Sequence, residues 1–381
     1  MVQEAKNYFK FIIIIIKNLR LVLVISIVLL IVFLVVSKIV HINKSNIVTE
    51  KGIQEAKYIE LGGIKQYVQI RGENVDNPII VFLHGGPGVP MTFLSYYYQR
   101  ALEDDYTIVN WEQRGCGRTY YENIDNNKSQ LSTENLINDL DELVDYLRFR
   151  FNKNKIIIMG HSWGTVLGTR YIKEKPEKVD MYIGISQIIN FKDSKILAAE
   201  KSIELAKEKN DVDFVNEISR RLEKFKNDYE NTSNIKGIDL DNYSKLVQLN
   251  LKYTMSGKEM GALKQSFLFM TSPDVNMKDF KWSFMGTEKL FDLEEPLMNS
   301  LFFDFDLNNE DANYEVPVYF ISGDSDWTIP YVETENYYKR VQAPKKSMVI
   351  VKDAGHAVML DNRDEFCKSI KNILKNEDSD V

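Results

Sequence analysis

The chain has 381 residues, a formal net charge of −7 and 44% hydrophobic residues. This length exceeds that of a usual single domain, so we expect a core with an inserted or appended module. The portion after residue 55 contains no block of basic residues, which argues against nucleic acid as a partner. No metal-ligand cluster is visible in the sequence, and we expect neither a metal nor a cofactor.

The first element in chain order is an apolar stretch long enough to cross a membrane. Residues 21–36 are apolar apart from Ser26, and the stretch extends to Ile42 if the Lys38 side chain reaches the interface. A helix of residues 21–42 would be about 33 Å long, against ~30 Å for the hydrocarbon core of a bilayer. We therefore predict an uncleaved signal anchor at 21–42.

The flanking residues predict how this anchor is oriented. Basic side chains precede it, so residues 1–20 are expected in the cytoplasm and the rest of the protein outside a single-pass cell membrane; they are Lys6, Lys10, Lys17 and Arg20. A cleaved signal peptide is the alternative, but no small-x-small cleavage site follows the apolar stretch. A polar stem at residues 43–54 comes next.

After the stem, strand patterns alternate with helix patterns. Apolar periodicity and turn residues place these elements at 58–71, 79–83, 106–111, 133–149, 155–171 and 181–185. The alternation indicates an α/β fold with a mainly parallel sheet covered on both faces. The pattern becomes helical from about 191 to 313 and resumes its alternation at Val316. We predict a first part of the core at 55–190, an inserted helical cap at 191–313 and a second part of the core at 314–375.

The segment Gly160–Gly164 reads Gly-His-Ser-Trp-Gly and lies between a β-branched apolar run and a helix-compatible stretch. A Gly-x-Ser-x-Gly turn between a strand and a helix is typical of a nucleophile elbow, which projects the serine hydroxyl into a cleft. Side chains two residues before or after the serine would collide with the neighbouring strand and helix, and glycine avoids this. We therefore predict Ser162 as a nucleophile.

A serine nucleophile needs a histidine base, and the chain has only 4 histidines. His41 ends the membrane stretch, His84 belongs to a glycine loop, and His161 is too close in sequence to reach the hydroxyl of Ser162. His356 remains, in a loop just after a late strand, and it is the predicted base.

The acid should lie between the serine and the histidine in sequence. The strand at 316–321 ends in Ser-Gly-Asp-Ser-Asp, where two aspartates compete. We prefer Asp326, because a tight turn at residues 323–325 would bring its carboxylate back over the strand end. Asp324 is the alternative, although it more naturally caps that turn.

An acyl-transfer site also needs N–H donors for the oxyanion. One is expected from the backbone of Trp163, directly after the nucleophile, and the other from the loop that follows an earlier strand. That loop is His84-Gly85-Gly86-Pro87-Gly88. The Gly86 N–H is our first choice and the Gly85 N–H the second.

Together these segments resemble the prolyl aminopeptidase (proline iminopeptidase) branch of the α/β-hydrolases. The resemblance covers roughly residues 55–375 and depends on the segments 84–88, 110–119, 160–164, 323–326 and 355–356. The family's second block usually reads Asp-Gln-Arg-Gly-x-Gly-x-Ser, and here Glu112 and Thr119 replace its aspartate and serine. The resemblance implies an α/β-hydrolase fold with Ser162 as nucleophile, Asp326 as acid and His356 as base.

In the prolyl aminopeptidases, glutamates of the cap bind the free amino group of the substrate. The predicted cap contains many glutamates and no local motif selects among them; examples are Glu200, Glu204, Glu217, Glu223 and Glu259. The leading hypothesis is therefore a membrane-anchored serine hydrolase that cuts short peptides from their amino end. The alternative is an esterase or lipase that acts on small esters or lipids with the same triad. A non-catalytic binding role is a third class, against which the full set of triad and oxyanion residues argues.

Two further features have more than one interpretation. Cys116 and Cys367 could form one long-range bridge outside the cell, but two cysteines make no disulfide framework and we expect free thiols. The aromatic segment 302–306 could line a substrate pocket, but we prefer an interpretation in which it packs inside the cap.

Overall fold

The computed structural model describes residues 2–124, 131–285 and 294–378. Residues 125–130 of the predicted core and 286–293 of the predicted cap lie outside the described residues. The strands are β1 (Ile53–Leu61), β2 (Ile64–Gly72), β3 (Ile79–Leu83), β4 (Thr107–Trp111), β5 (Ile156–His161), β6 (Val179–Ile185), β7 (Val318–Gly323) and β8 (Lys346–Val351).

The helices begin with α1 (Val2–Ser45), α2 (Ser95–Tyr98), α3 (Gly117–Glu122), α4 (Thr133–Phe151) and α5 (Trp163–Glu174). Between β6 and β7 lie α6 (Phe191–Glu208), α7 (Val212–Asn231), α8 (Leu240–Thr254), α9 (Ala262–Met270), α10 (Met277–Ser283) and α11 (294–299). The chain continues with α12 (Tyr331–Arg340), α13 (Val358–Asp361) and α14 (Arg363–Asp378). The helical pattern of the predicted cap thus corresponds to helices inserted between two strands.

In the described chain, eight strands form one sheet in the order β1-β2-β4-β3-β5-β6-β7-β8. The pairs β1–β2 and β2–β4 are antiparallel, whereas every pair from β4–β3 to β7–β8 is parallel. The mainly parallel sheet predicted from the alternation is confirmed. β5 lies in the middle of the parallel part and is buried along its whole length, which explains its unbroken apolar sequence.

The sheet separates two apolar clusters, because successive side chains of a strand point to opposite faces. In β5, Ile156 and Ile158 belong to one cluster, and Ile157 and Met159 to the other. The first cluster includes the buried face of α4, and the second includes that of α14. Packing on both faces therefore holds β5 in place, together with the turn at its carboxyl end.

Helix α4 shows how local sequence sets an element's bounds. The hydroxyl of its N-cap residue Ser132 accepts a hydrogen bond from the N–H of Asn135, and Asn152 ends the helix in the left-handed conformation with φ of 50°. Its buried side chains recur every three or four residues, as the apolar periodicity predicts; they include Leu136, Leu140, Leu143, Val144 and Leu147.

Helix α1 is continuous from Val2 to Ser45. It contains the predicted anchor at 21–42 and extends into the predicted stem, after which β1 starts at Ile53. In the described residues, one helix is long and apolar enough to cross a membrane, namely Asn7–Ser45, and its apolar side chains are exposed. This helix satisfies the length and composition of a membrane span.

The aromatic segment 302–306 packs inside the inserted helices. The Phe302 ring is 5% exposed and lies against Phe191, Tyr229 and Tyr243, with ring centroids 4.7, 5.9 and 5.5 Å away. The preferred interpretation, packing within the cap, agrees with these contacts. The two cysteines, Cys116 and Cys367, are buried free thiols.

Candidate active site

Ser162 lies at the junction of β5 and α5, where the backbone makes a sharp turn. Its φ of 52° and ψ of −121° place a non-glycine residue in a region that L-residues rarely adopt. Two hydrogen bonds hold the turn: the N–H of Ser162 donates to the Ile185 carbonyl at 3.0 Å, and the N–H of Thr165 donates to the Ser162 carbonyl at 2.8 Å. The predicted strand–turn–helix geometry is therefore present, with its strain held by the neighbouring strand.

The two motif glycines are required by close approach of backbone atoms. A Cβ on Gly160 would lie 2.5 Å from the Gly164 carbonyl oxygen, and a Cβ on Gly164 would lie 2.1 Å from the Leu83 carbonyl oxygen at the end of β3. Real Cβ atoms do not approach backbone oxygens so closely. A side chain at Gly160 would push the two ends of the turn apart, and one at Gly164 would push the turn away from β3, so that either would displace Ser162.

The structure brings Ser162, His356 and Asp326 together in one hydrogen-bonded chain. His356 Nε2 lies 3.0 Å from Ser162 Oγ, and its Nδ1 lies 3.0 Å from Asp326 Oδ2. Asp324 instead accepts a hydrogen bond from the hydroxyl of Ser325. Of the two competing aspartates, Asp326 is the one that faces the histidine.

Asp326 is almost fully buried, at 1% exposure, yet its environment favours the charged form. Burial alone would raise the pKa of this carboxyl, but the adjacent His356 and the backbone N–H of Ile329 outweigh it, so that the pKa lies below its usual value. Its Oδ1 accepts the N–H groups of Thr328 and Ile329, both at 2.9 Å. A charged carboxylate held in this way can orient His356 and stabilise its protonated form.

His161 has a part in the site that its position in the motif did not reveal. Its Nε2 donates to the His356 carbonyl at 2.9 Å, and the hydroxyl of Ser186 donates to the same oxygen at 3.2 Å. Burial, together with the nearby His356, lowers the pKa of His161 to about 3, so the ring is neutral at physiological pH. His161 therefore holds the backbone of the residue that contacts Ser162.

The loop after β3 packs directly against the serine. A Cβ on Gly85 would lie 3.2 Å from Ser162 Cβ, and Gly86 has a φ of +121°, which favours glycine. Trp163 begins α5, and its indole N–H donates to Gln113 at 3.2 Å. The predicted oxyanion donors thus belong to two segments, the 84–88 loop and the amino end of α5, that both border Ser162.

His84 stabilises this loop. Its Nδ1 lies 2.9 Å from the Gly85 carbonyl, and its Nε2 accepts the N–H of Gln113 at 3.4 Å. Burial lowers the pKa of His84 to about 4, so this ring is also neutral.

The block 110–119 connects the core to the inserted helices. Arg118 forms two hydrogen bonds, of 2.9 and 2.7 Å, with the carboxylate of Asp279 on α10. Its own N–H donates to Glu112 Oε2 at 2.6 Å, and burial raises the pKa of Glu112 to about 7. The Thr119 hydroxyl donates to the Glu112 carbonyl at 2.7 Å and accepts the N–H of Tyr67 at 2.9 Å. Glu112 and Thr119, the two departures from the family pattern, therefore both supply a side-chain group that forms hydrogen bonds.

Glu294, the first described residue of α11, was not among the glutamates considered from the sequence. It is 3% exposed, and neither carboxylate oxygen has a hydrogen-bond partner among the described residues. Its Oε1 lies 2.8 Å from the position of a Cβ on Gly88, and Trp282 Nε1 donates to the Gly88 carbonyl at 2.9 Å. Burial raises the pKa of Glu294 to about 8. A buried carboxylate that has no partner among the described residues, next to the 84–88 loop, is suited to receive a charged group of a ligand.

The glutamates considered from the sequence differ from Glu294. Glu200, Glu204 and Glu217 form ion pairs with neighbouring lysine or arginine side chains on exposed helix faces, and Glu223 is exposed. Glu259 accepts the N–H groups of Ser256 and Gly257 and lines a cavity of about 150 Å³ beside His356. No sequence signal separated Glu294 from these, because its distinction is burial with no partner in the part of the chain that the structure describes.

The family model described as alpha/beta hydrolase fold matches residues 78–363 of this chain. The chain is 26% identical over 323 residues to the "Probable aminopeptidase YbaC" of Bacillus subtilis (strain 168), a match that covers 84% of this chain and 96% of that protein. It is 31% identical over 123 residues to the proline iminopeptidase of Lactobacillus helveticus, covering 32% of this chain and 40% of that protein.

Solved structures show the same fold at lower identity. A proline iminopeptidase-related protein of Thermus thermophilus superposes with a TM-score of 0.58 at 19% identity, covering 85% of this chain and 98% of that one. An esterase from Exiguobacterium antarcticum gives 0.52 at 16% identity, covering 84% and 100%. The expected resemblance to the prolyl aminopeptidases is confirmed by the named relatives, and since the family model covers most of the chain, the protein belongs to the α/β-hydrolase fold family.

Proposed function

We propose that the protein is a membrane-anchored serine hydrolase that releases amino-terminal residues from short peptides. The observation that carries the serine chemistry is the His356 ring, which lies within hydrogen-bond distance of both Ser162 Oγ and Asp326 Oδ2. The aminopeptidase relatives support a peptide substrate, and the buried carboxylate of Glu294 supports recognition of a free amino group.

The reaction begins with attack of Ser162 Oγ on the scissile carbonyl carbon while His356 Nε2 takes the hydroxyl proton. Asp326 stabilises the imidazolium that forms. His356 then gives the proton to the leaving amine as the C–N bond breaks, which leaves an acyl-enzyme. Water, deprotonated by His356, attacks the ester, and the serine hydroxyl is restored.

The tetrahedral oxyanion is stabilised by backbone N–H groups, for which Trp163 and Gly86 are our choices. The close packing of the 84–88 loop on Ser162 supports this assignment. Fixed donors in a site from which water is excluded stabilise developing charge without reorganisation, and each is typically worth about 3 kcal/mol.

In this proposal Glu294 selects substrates with a charged amino end. Burial favours the neutral carboxyl, and a substrate ammonium group would pair with the ionised form. A peptide bond close to the amino end would then lie near Ser162, because Glu294 contacts the same loop that packs on the serine. The ion pair therefore determines both the affinity for the substrate and which peptide bond lies at Ser162.

The esterase alternative has one observation in its favour. The cavity beside His356 is also lined by Leu251 and Met255, which are 40% and 52% exposed, so that part of its wall is apolar. Such a wall would suit an acyl chain.

The serine chemistry is tested by labelling the folded full-length protein with a fluorophosphonate. We expect one adduct on Ser162 and none in a Ser162→Ala variant. Absence of labelling in protein shown to be folded by its thermal transition would contradict any serine hydrolase activity.

The substrate class is tested by comparing aminoacyl amides, proline among them, with N-acetylated amides and short acyl esters. Glu294→Gln should lower kcat/KM for free-amino substrates by at least about 10-fold, since a charge-assisted hydrogen bond is worth roughly 1.5–3 kcal/mol. Acetylated substrates and esters should be unaffected, as should all substrates with the exposed control Glu200→Gln. Higher activity on esters, with no effect of Glu294→Gln, would favour the esterase.

The membrane part of the proposal is supported by the length and composition of α1 and by the basic residues before the apolar stretch. Protein expressed in a bacterial host should stay with membranes after carbonate extraction. Protease added to intact cells should then remove the catalytic portion, and complete protection would overturn the outside orientation.

A further inference from the structure

The carboxyl-terminal turns of α1 pack against the body of the protein. Leu34, Ser37, Lys38 and His41 are partly covered and Ser45 is buried, whereas the residues between them are mostly exposed. Positions at this spacing share one face of a helix. The last part of α1 is therefore docked along one side.

Specific contacts fix this docked end. The Ser45 carbonyl accepts a hydrogen bond from Arg71, which is itself buried and paired with Glu103 at 2.7 Å. One turn earlier, His41 Nδ1 lies 3.1 Å from the Thr271 carbonyl, just after α9. Since the predicted anchor extends to residue 42, the docked region overlaps the predicted span.

Helix α9 lies beside this part of α1. The Phe267 ring stacks on Phe33 with centroids 5.6 Å apart and is 6.1 Å from His41. Because Thr271 lies beside His41 whereas Phe267 reaches Phe33, α9 runs in the same general direction as α1. Going back along α9 to Leu263 thus leads toward the amino end of α1 and the predicted membrane.

The face of α9 that contacts α1 also carries exposed apolar side chains. Leu263, Phe267 and Met270 are spaced by four and three residues and share a face. Leu263 is 90% exposed and Met270 43% exposed, so this face is only partly covered by α1. Exposed polar residues Lys264 and Gln265 lie beside them in sequence, as in helices that bind at a membrane surface.

The depth of α9 follows from α1. Phe33 is nine residues before Ile42, which corresponds to about 14 Å along a helix. With the predicted end at Ile42, a side chain level with Phe33 would lie this far inside the hydrocarbon core. If α1 leaves the bilayer where its docked face begins, at Leu34, a side chain level with Phe33 lies at the membrane surface. A cavity of about 650 Å³ at the same junction is lined by charged side chains of both signs, namely Lys44, Arg100, Arg363, Asp104 and Asp364.

We propose that the α1–α9 face is a bilayer-contact surface, with Leu263 inserted among the lipid acyl chains next to α1. The occupant is the phospholipid bilayer on the side of the catalytic portion, and the inference rests on the proposed membrane anchoring. Gln265 of α9 lines the cavity that contains His356. The cavity thus adjoins the helix that carries the proposed surface.

The experiment attaches an environment-sensitive nitrobenzoxadiazole probe to single introduced cysteines in the full chain, reconstituted in phosphatidylcholine–phosphatidylglycerol vesicles. Leu263→Cys tests the surface, Val28→Cys reports on the middle of α1, and Phe149→Cys, at a 92% exposed position of α4, is the aqueous control. The buried Cys116 and Cys367 should stay unlabelled, which the unsubstituted protein verifies.

We expect brominated lipids to quench the probe at 28 and 263, and aqueous iodide to quench the probe at 149. If iodide quenches the probe at 263, as at 149, while brominated lipids quench the probe at 28, the proposal of a bilayer-contact surface is wrong and the anchoring stands. If iodide also quenches position 28, the anchoring fails, and this inference fails with it. The probe reports on position alone, so neither outcome depends on enzymatic activity.

Discussion

His161 Nε2 donates a hydrogen bond to the carbonyl oxygen of His356 across 2.9 Å, so the histidine next to Ser162 in sequence holds the histidine that contacts it in space. The two rings are tilted, with centroids 5.0 Å apart. Because His161 is neutral, it can donate to this carbonyl without placing a second positive charge beside His356. One histidine thus contacts Ser162, and the other supports the backbone of that histidine.

His161→Phe should lower kcat by about 5- to 10-fold with little change in KM, because a lost hydrogen bond is worth roughly 1 kcal/mol. His161→Gln keeps a donor and should recover part of the rate, whereas Ser186→Ala should give a small loss like that of His161→Phe. Steady-state kinetics measures all three. A full-rate His161→Phe enzyme would show that this contact does not position His356.

The two neighbouring aspartates offer a matched pair. Asp326→Asn should reduce kcat by about 10³–10⁴-fold, because an amide can neither stabilise the imidazolium nor hold the required tautomer. Asp324→Asn should change kcat by only a few-fold, since this residue bonds Ser325 and not His356. Equal losses for the two variants, at unchanged thermal stability, would contradict the assignment of Asp326.

The glycine after Trp163 should be intolerant of any side chain. Gly164→Ala would place a Cβ 2.1 Å from the Leu83 oxygen, and we expect a loss of about 2–4 kcal/mol in the free energy of unfolding. Gly261→Ala is the control, since a Cβ there meets no atom of the described residues within 4 Å and should change stability little. Thermal denaturation in detergent measures both, and a Gly164→Ala protein as stable as the control would contradict the close approach.

Glu294 should make stability fall as pH rises. Its pKa is raised from 4.5 to about 8 in the folded protein, so between these values the folded state binds more protons than the unfolded one. The free energy of unfolding therefore decreases across that range, by an upper bound of roughly 4–5 kcal/mol. Glu294→Gln should remove this dependence and have a higher Tm than the unsubstituted protein at pH 8, with little difference at pH 5.

A Glu294→Gln protein with the same Tm difference at both pH values would contradict a raised pKa at this position. Glu200→Gln, in an exposed ion pair, serves as the control and should leave the pH profile unchanged.

The fold class and the three clustered residues of the candidate site could be predicted because they depend on local or linear properties. The turn at Ser162 demands glycine at 160 and 164, and such a demand is visible in five consecutive residues. The small number of histidines left His356 as the base, and chain order left Asp326 and Asp324 as acids. The preference for Asp326 came from turn geometry, which is also local.

Only the tertiary structure decided which polar groups lose solvent and which gain partners. Glu294 resembles any other helical glutamate until packing of α11 on the 84–88 loop buries it, with no partner in residues 2–124, 131–285 and 294–378. His161 gained its role from a carbonyl 195 residues away, and α1 gained its docking face from Phe267 and Arg71. Backbone strain is encoded in neighbouring residues, whereas desolvation and pairing arise from atoms that the fold brings together from distant parts of the chain.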